Sequence, residues 1–239
     1  MIPLKFLYSF IFNISMRFCL GSDIHGNLRS LRYFLKVSQS IECDTVLLAG
    51  DLASWQDETS IFSIFRELND SGLRIIGVLG NSDSENEIEI ARDYENIRIL
   101  HGNSLTIDDI NIIGISGIPV SNMHGSFFSL PESRILKMLS EAYETLDHKR
   151  HLISISHVPP FGILDRTKYG EHVGSRAVKR FIIKYKPDVH LCGHVHESRG
   201  IENFYDSIII NAGLMHRDDP VYSLEIDEKI EVRTIKPSF

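Results

Sequence analysis

The chain is predicted to be a single α/β domain, on three observations. Short apolar runs of strand length alternate with segments of helical period. Several runs are apolar throughout, as in strands buried on both faces. The length of 239 residues suits one full-sized core and is short for two. The expected domain spans 16–239, with 1–15 as an extension.

The strand-like segments are 18–22, 45–49, 75–79, 97–100, 105–107, 110–115, 151–156 and 189–192, followed by 208–211, 222–226 and 230–233. Asn27 can cap a helix that carries Leu28, Leu31 and Leu35 on one face. Ile61, Ile64, Phe65 and Leu68 mark a second helix. Pro131 opens a third, with Ile135, Met138, Ala142 and Leu146. Ser175 can cap a fourth, with Pro187 beyond its end.

Composition narrows the function. The hydrophobic fraction of 43% and charged fraction of 24% are those of a globular protein. A net charge of −7 does not attract long nucleic acid or an anionic membrane, yet leaves room for a small phosphorylated substrate at a local cation centre. Residues 1–15 are apolar but too short to span a bilayer and lack a cleavage signature, so translation is expected to start at Met16. Cys19, Cys43 and Cys192 lie among apolar residues without a CxxC pair. They are expected to be small buried hydrophobes, and their odd number suits a reducing cytoplasm.

The informative pattern lies at the strand ends. Segment 18–22 runs into Asp23-Ile24-His25, 45–49 into Gly50-Asp51, and 75–79 into Gly80-Asn81. Segment 151–156 runs into His157, and 189–192 into Gly193-His194-Val195-His196. Each piece alone is weak; the weight lies in their common placement. Ligands of open α/β sheets bind beyond the carboxyl ends of the strands, so these segments can share one rim. If the strands persist, the side-chain period of two points Asp23 and His25 the same way, and likewise His194 and His196. Two carboxylates, an amide and four imidazoles make a mixed oxygen and nitrogen set that suits manganese, iron, zinc, cobalt or nickel. Seven ligands exceed the need of one ion and suit two divalent ions sharing a carboxylate and a water.

The order Asp-x-His, Gly-Asp, Gly-Asn-x-Asp, His and Gly-His-x-His resembles the calcineurin-like metallophosphoesterases. The stretches His157-Val-Pro-Pro-Phe-Gly and Gly170-Glu-His-Val-Gly-Ser175 resemble those of a small prokaryotic branch. The resemblance implies a four-layer α/β/β/α sandwich. It implies one metal on Asp23, His25 and His196, a second on Asn81, His157 and His194, and Asp51 bridging them. A metal-bridging hydroxide would attack a phosphodiester or phosphomonoester, with Asp51 and Asn81 as catalytic residues and Asp83 steadying the Asn81 loop. Neutral imidazoles are required, so activity should fall in mildly acid solution. The family also includes catalytically weak interaction scaffolds, the alternative reading.

One departure stands out. Many members carry histidine where this chain has Ser82, which is no strong acid near neutral pH. This brings the chain closer to branches of the family with Cys or Met at that position, several of which act on phosphodiesters or activated esters, so the resemblance implies diesters in preference to monoesters. His172, just before Gly174-Ser175 at an expected helix start that can seat a phosphate, is the candidate for substrate contact or for the missing acid. The alternative is an ordinary loop histidine. Trp55 is a candidate pocket wall, with packing as the alternative. His101 and His124 read as loop residues, and His148, His151, His190 and His216 as structural or solvated.

Overall fold

The computed structural model describes residues 16–55, 57, 59–120, 126–146, 151–217, 219–227 and 229–236. The expectations for residues 1–15, His124 and His148 lie outside these.

Two six-stranded sheets form the centre. The first has the order β14 (Ile230–Ile235), β13 (Val221–Ile226), β1 (Met16–Gly21), β2 (Thr45–Ala49), β3 (Arg74–Val78) and β4 (Ile97–Ile99). Strands β1 to β4 are parallel, and β13 returns antiparallel beside β1, pairing Phe18 with Leu224. The second has the order β11 (Gly200–Phe204), β12 (Ser207–Asn211), β10 (Val189–Cys192), β9 (His151–Ser156), β6 (Ile110–Ile115) and β5 (Asn103–Ile107). Its four central strands are parallel. A two-stranded ribbon joins β7 (Ile118–Pro119) to β8 (Ser129–Leu130).

Alternation along the strands builds two kinds of core. Phe18, Leu20, Leu47, Ala49, Ile76 and Val78 pack against Ile112, Ile153, Ile155, Leu191 and Ile210 between the sheets. Their neighbours Cys19, Val46 and Leu48 face the other way, onto helices. Helices α1 (Leu28–Ser40) and α2 (Ser60–Asp70) cover the first sheet with Leu31, Phe34, Ile64 and Phe65. Helices α4 (Glu132–Glu144) and α5 (Arg176–Tyr185) cover the second with Ile135, Leu139, Val178 and Phe181. The result is the four-layer α/β/β/α sandwich. Each fully buried Leu, Ile or Phe contributes about 1.5–3 kcal/mol of transfer free energy to it.

The helix caps follow the sequence. Asn27 accepts from Ser30 N at 3.1 Å, and Ser175 accepts from Val178 N at 3.1 Å. The short helix α3 (Glu87–Ala91) and strands β7, β8 and β11 are additions to the predicted elements. All four lack a clear period: β7 and β8 have two residues each, and β11 is an edge strand with mostly exposed side chains.

The cysteine expectation is corrected. Cys19 and Cys43 form a disulfide across 24 positions, with their α-carbons 6.2 Å apart. Cys19 faces the helix layer from β1, and the turn before β2 brings Cys43 beside it. That turn is pinned by Asp44 N donating to Arg17 O at 2.9 Å and by Arg17 N donating to the Asp44 carboxylate at 2.7 Å. A search for CxxC spacing misses a pair joined by the fold. Cys192 is buried and reduced. The odd cysteine number therefore no longer argues for a reducing compartment. Among the described residues, no helix is long and apolar enough to cross a membrane.

Candidate metal centre

All seven predicted donors meet at the carboxyl ends of β1, β2, β3, β9 and β10. His196 Nε2 lies 3.1 Å from Asp23 Oδ1 and 3.5 Å from His25 Nε2. His25 Nε2 is 3.7 Å from both Asp23 Oδ1 and Asp51 Oδ2. His157 Nε2 lies 3.3 Å from Asp51 Oδ2, 3.2 Å from Asn81 Oδ1 and 3.2 Å from His194 Nδ1. Asp23 and Asp51 thus stand between two histidine pairs.

The expected reason for this convergence is corrected. Strand alternation does not aim the ligands, because β1 ends at Gly21 and β10 at Cys192. The backbone instead turns into the left-handed region at Asp23 (φ 54°), His25 (φ 48°), Asp51 (φ 52°) and His194 (φ 66°). Such conformations cost of order 1–3 kcal/mol each and persist where the surroundings enforce them. Here Asp23 N donates to Gly50 O, His25 N to Asp51 O and Gly26 N to Leu52 O, all at 2.9 Å. These bonds lock the two turns together. His196 sits in a short 3-10 turn, His196–Ser198.

Two glycines allow the close approach. A Cβ on Gly80 would lie 2.6 Å from Asp51 N. One on Gly193 would overlap Ser22 Oγ and Asp23 Oδ2. Neither has a positive φ; it is space, not a turn, that requires glycine there.

Further contacts aim the donors. His157 Nδ1 donates to Ala49 O at 2.7 Å, which turns Nε2 toward the carboxylates. His194 N donates to Asp23 Oδ2 at 3.0 Å, and Ser82 N to Asp51 Oδ1 at 2.8 Å. Asp83 is fully buried and accepts from Gly80 N at 2.8 Å and Ala53 N at 2.7 Å, tying the β2 and β3 loops together.

The electrostatics of these protein groups are polarised. Burial works against the charged form of Asp51, but the charge of His157 and its hydrogen bond hold the carboxyl well below the usual carboxylate range. Burial likewise opposes charge on His157, while the Asp51 carboxylate pushes it up to about 10. Burial, then the charge of His157, lowers His194 to about 4. The hydrogen bond to Asp23 raises His196. Burial and the Asp51 charge push Asp83 up to about 7.

This donor set fits cations. Metal–donor lengths of about 2.0–2.2 Å place neighbouring donors about 3–3.5 Å apart. The separations here run from 3.1 to 3.7 Å. Two pairs of imidazole nitrogens confront one another, which a shared positive charge makes favourable. Asp23, His25 and His196 form one group with every donor atom within 4.8 Å, and Asp23, Asp51 and His157 a second.

His172 is in neither of these groups. Its Nδ1 is 2.6 Å from Asp165 Oδ1, and the buried Asp165 also accepts from Gly162 N and Gly174 N through Oδ2. The phosphate seat expected at the start of α5 is corrected. Glu132 fills it, accepting from Arg176 N at 2.9 Å, Ala177 N at 2.8 Å and Ser175 Oγ at 2.7 Å. The His172 loop nevertheless adjoins the centre's rim. Lys168 N donates to Glu197 Oε1, Arg166 N to Ser198 Oγ, and Asn211 Nδ2 bridges Leu164 O and Val195 O. Asp165 and Glu132 carry no local motif that announces these partners. Asn211 at the end of β12 had the same strand-end signal as the ligands. Trp55 is 40% exposed and meets the Phe127 ring at 5.0 Å, so it walls the surface and is not core.

Comparison with known proteins bears on the fold and the family. The chain is 27% identical over 201 residues to the protein MJ1162 of Methanocaldococcus jannaschii, covering 80% of this chain and 84% of that one. In fold it resembles TT1561 of Thermus thermophilus, with a TM-score of 0.70 at 18% identity, over 92% of this chain and 98% of the other. It also resembles a dimetal phosphatase from Danio rerio, with a TM-score of 0.66 at 13% identity, over 92% and 95% of the two chains. The calcineurin-like phosphoesterase family matches residues 16–198. The chain belongs to the calcineurin-like phosphoesterases.

Proposed function

We propose that the chain hydrolyses small phosphoesters, diesters in preference to monoesters, with two divalent cations, manganese foremost. Asp23, His25 and His196 would hold one cation and Asn81, His157 and His194 the other, with Asp51 available to both. The observation that carries this reading is the meeting of seven donors at metal-like spacings, aimed by Ala49 O, Asp83 and a left-handed backbone. When bound, such cations supply a water nucleophile near neutral pH and neutralise charge on the phosphoryl oxygens. In the reaction a P–O bond forms to the water oxygen, the ester P–O bond breaks, and the leaving alkoxide takes up a proton.

The chain's own groups set the rest. Asn81, beside the cations, offers its amide to a phosphoryl oxygen. His172, with Nδ1 turned to Asp165, keeps Nε2 for substrate contact or for the leaving oxygen. Ser82 supplies no strong acid, which supports diesters and activated esters as substrates. Net charge −7 supports a small substrate over long nucleic acid or an anionic membrane.

The test is a metal-by-metal screen with bis-p-nitrophenyl phosphate and p-nitrophenyl phosphate. The expected result is manganese-dependent turnover, faster on the diester and lost in Asp51→Asn. Metal binding without turnover of any ester would overturn it in favour of an interaction scaffold.

A further inference from the structure

Beside the metal centre lies a cleft of about 470 Å³ that the proposed chemistry leaves unused. That size is in the usual range for small-ligand pockets. Its walls are Phe62 of α2 and Phe127, with Ile61 and Ile90 behind them. Ser84, Asn86 and Glu87 form its polar edge. Phe62 and Phe127 are 47% and 53% exposed, unusually open for aromatic side chains at a recess.

The cleft is continuous with the centre. Ser82 lines it, while Ser82 Oγ stands 3.5 Å from His25 Nδ1 and Ser82 N binds Asp51. Phe127 N donates to the backbone oxygen of Asn81 at 3.1 Å, so this aromatic wall is anchored on a candidate ligand. Ser82 and the Asn81–Phe127 backbone bond thus join the candidate metal centre to an aromatic recess.

We propose that this cleft seats a planar aromatic arm of the substrate, either a nucleobase or a simple aryl group. The inference rests on the phosphoesterase reading. Aromatic walls favour flat rings by offset stacking and contact with the ring face. The polar edge supplies hydrogen-bonding groups for the heteroatoms of a base, which a simple aryl ring does not use.

The manganese-loaded protein should be titrated calorimetrically with inorganic phosphate, phenyl phosphate, cyclohexyl phosphate, AMP and ribose 5-phosphate. Emission from Trp55, the chain's single tryptophan and a neighbour of Phe127, gives a second readout. Stacking predicts that phenyl phosphate binds about tenfold tighter than cyclohexyl phosphate, and AMP about tenfold tighter than ribose 5-phosphate. An advantage for AMP over phenyl phosphate identifies a base; equal affinity identifies a simple aryl group. Both ring-bearing ligands should change Trp55 emission. In Phe62→Ala the preference for flat rings should collapse to within about twofold, with affinity for inorganic phosphate unchanged. Phosphate binding without any preference for flat rings would overturn the cleft assignment and leave the metal centre standing. No phosphate binding at all would overturn both.

Discussion

His157 donates from Nδ1 to the backbone oxygen of Ala49 at 2.7 Å, joining the end of β9 to the end of β2. One bond thus aims a candidate ligand of the second sheet at the carboxylates of the first. His157→Ala should lower turnover by at least about a hundredfold, the scale of losing one preorganised electrostatic group. It should also lower the manganese bound per chain, read by atomic absorption after gel filtration. Full metal content with full activity would refute the assignment.

Asp83 holds two loops without facing the cations directly. Asp83→Ala leaves Gly80 N and Ala53 N without their buried acceptor. Manganese affinity should fall about 10–100-fold, as for other outer partners of metal ligands. Asp83→Asn, which keeps one acceptor oxygen, should retain more. Calorimetric titration of the variants decides this, and equal affinities in all three proteins would refute the role.

Gly193→Ala puts a methyl into Ser22 and Asp23. Overpacking of this kind costs about 1–3 kcal/mol, and here the displaced group is a candidate ligand. Both the melting temperature and metal content should drop. A variant with wild-type melting and metal content would mean the strand ends are looser than described.

His190 gives a pH dependence with a definite sign. It is buried, with Nδ1 2.8 Å from Ser154 Oγ and Nε2 3.1 Å from Ser156 Oγ, and burial lowers it to about 3. Ser156 Oγ itself donates to Val158 O, so the ring donates from Nε2 and accepts at Nδ1. The unfolded chain takes up this proton near pH 6.5 and the folded chain only near 3, so stability falls as pH drops through that window. The loss from this one group is about 1.4 kcal/mol per pH unit. Urea midpoints between pH 6 and 4 should decline less steeply in His190→Gln than in the parent. Parallel declines would refute the assignment.

The disulfide closes a loop of 24 positions. Chain-entropy reasoning gives it about 3 kcal/mol of stabilisation. Reduction, or Cys19→Ser with Cys43→Ser, should lower the melting temperature by roughly 6–12 °C in a chain of this size. An unchanged melting temperature would show that the bridge adds nothing.

The strands and the candidate donor cluster were legible because burial on both faces makes continuous apolar runs, and the donors sit directly after them. Thr45–Ala49, Ile110–Ile115, His151–Ser156 and Val189–Cys192 occur with the bounds read from sequence. The features that escaped the sequence depend on long-range contact. Nothing near Cys19 announces Cys43, nothing near Ser175 announces Glu132, and nothing near His172 requires Asp165. The left-handed turns at Asp23 and Asp51 were also hidden, since aspartate serves many backbone shapes. Period-two reasoning therefore expected side chains that do converge, but by a geometry the strand ends do not adopt.

The donor cluster draws Asp23, His25, Asp51 and Asn81 from one half of the sandwich and His157, His194 and His196 from the other. Cation affinity is consequently a gauge of how well the halves dock. A cavity cut at Leu47 or Ile155, inside the seam and carrying no ligating atom, should weaken ion capture through misalignment of the halves. Conversely, filling the centre should rivet the two halves and slow amide exchange in both together.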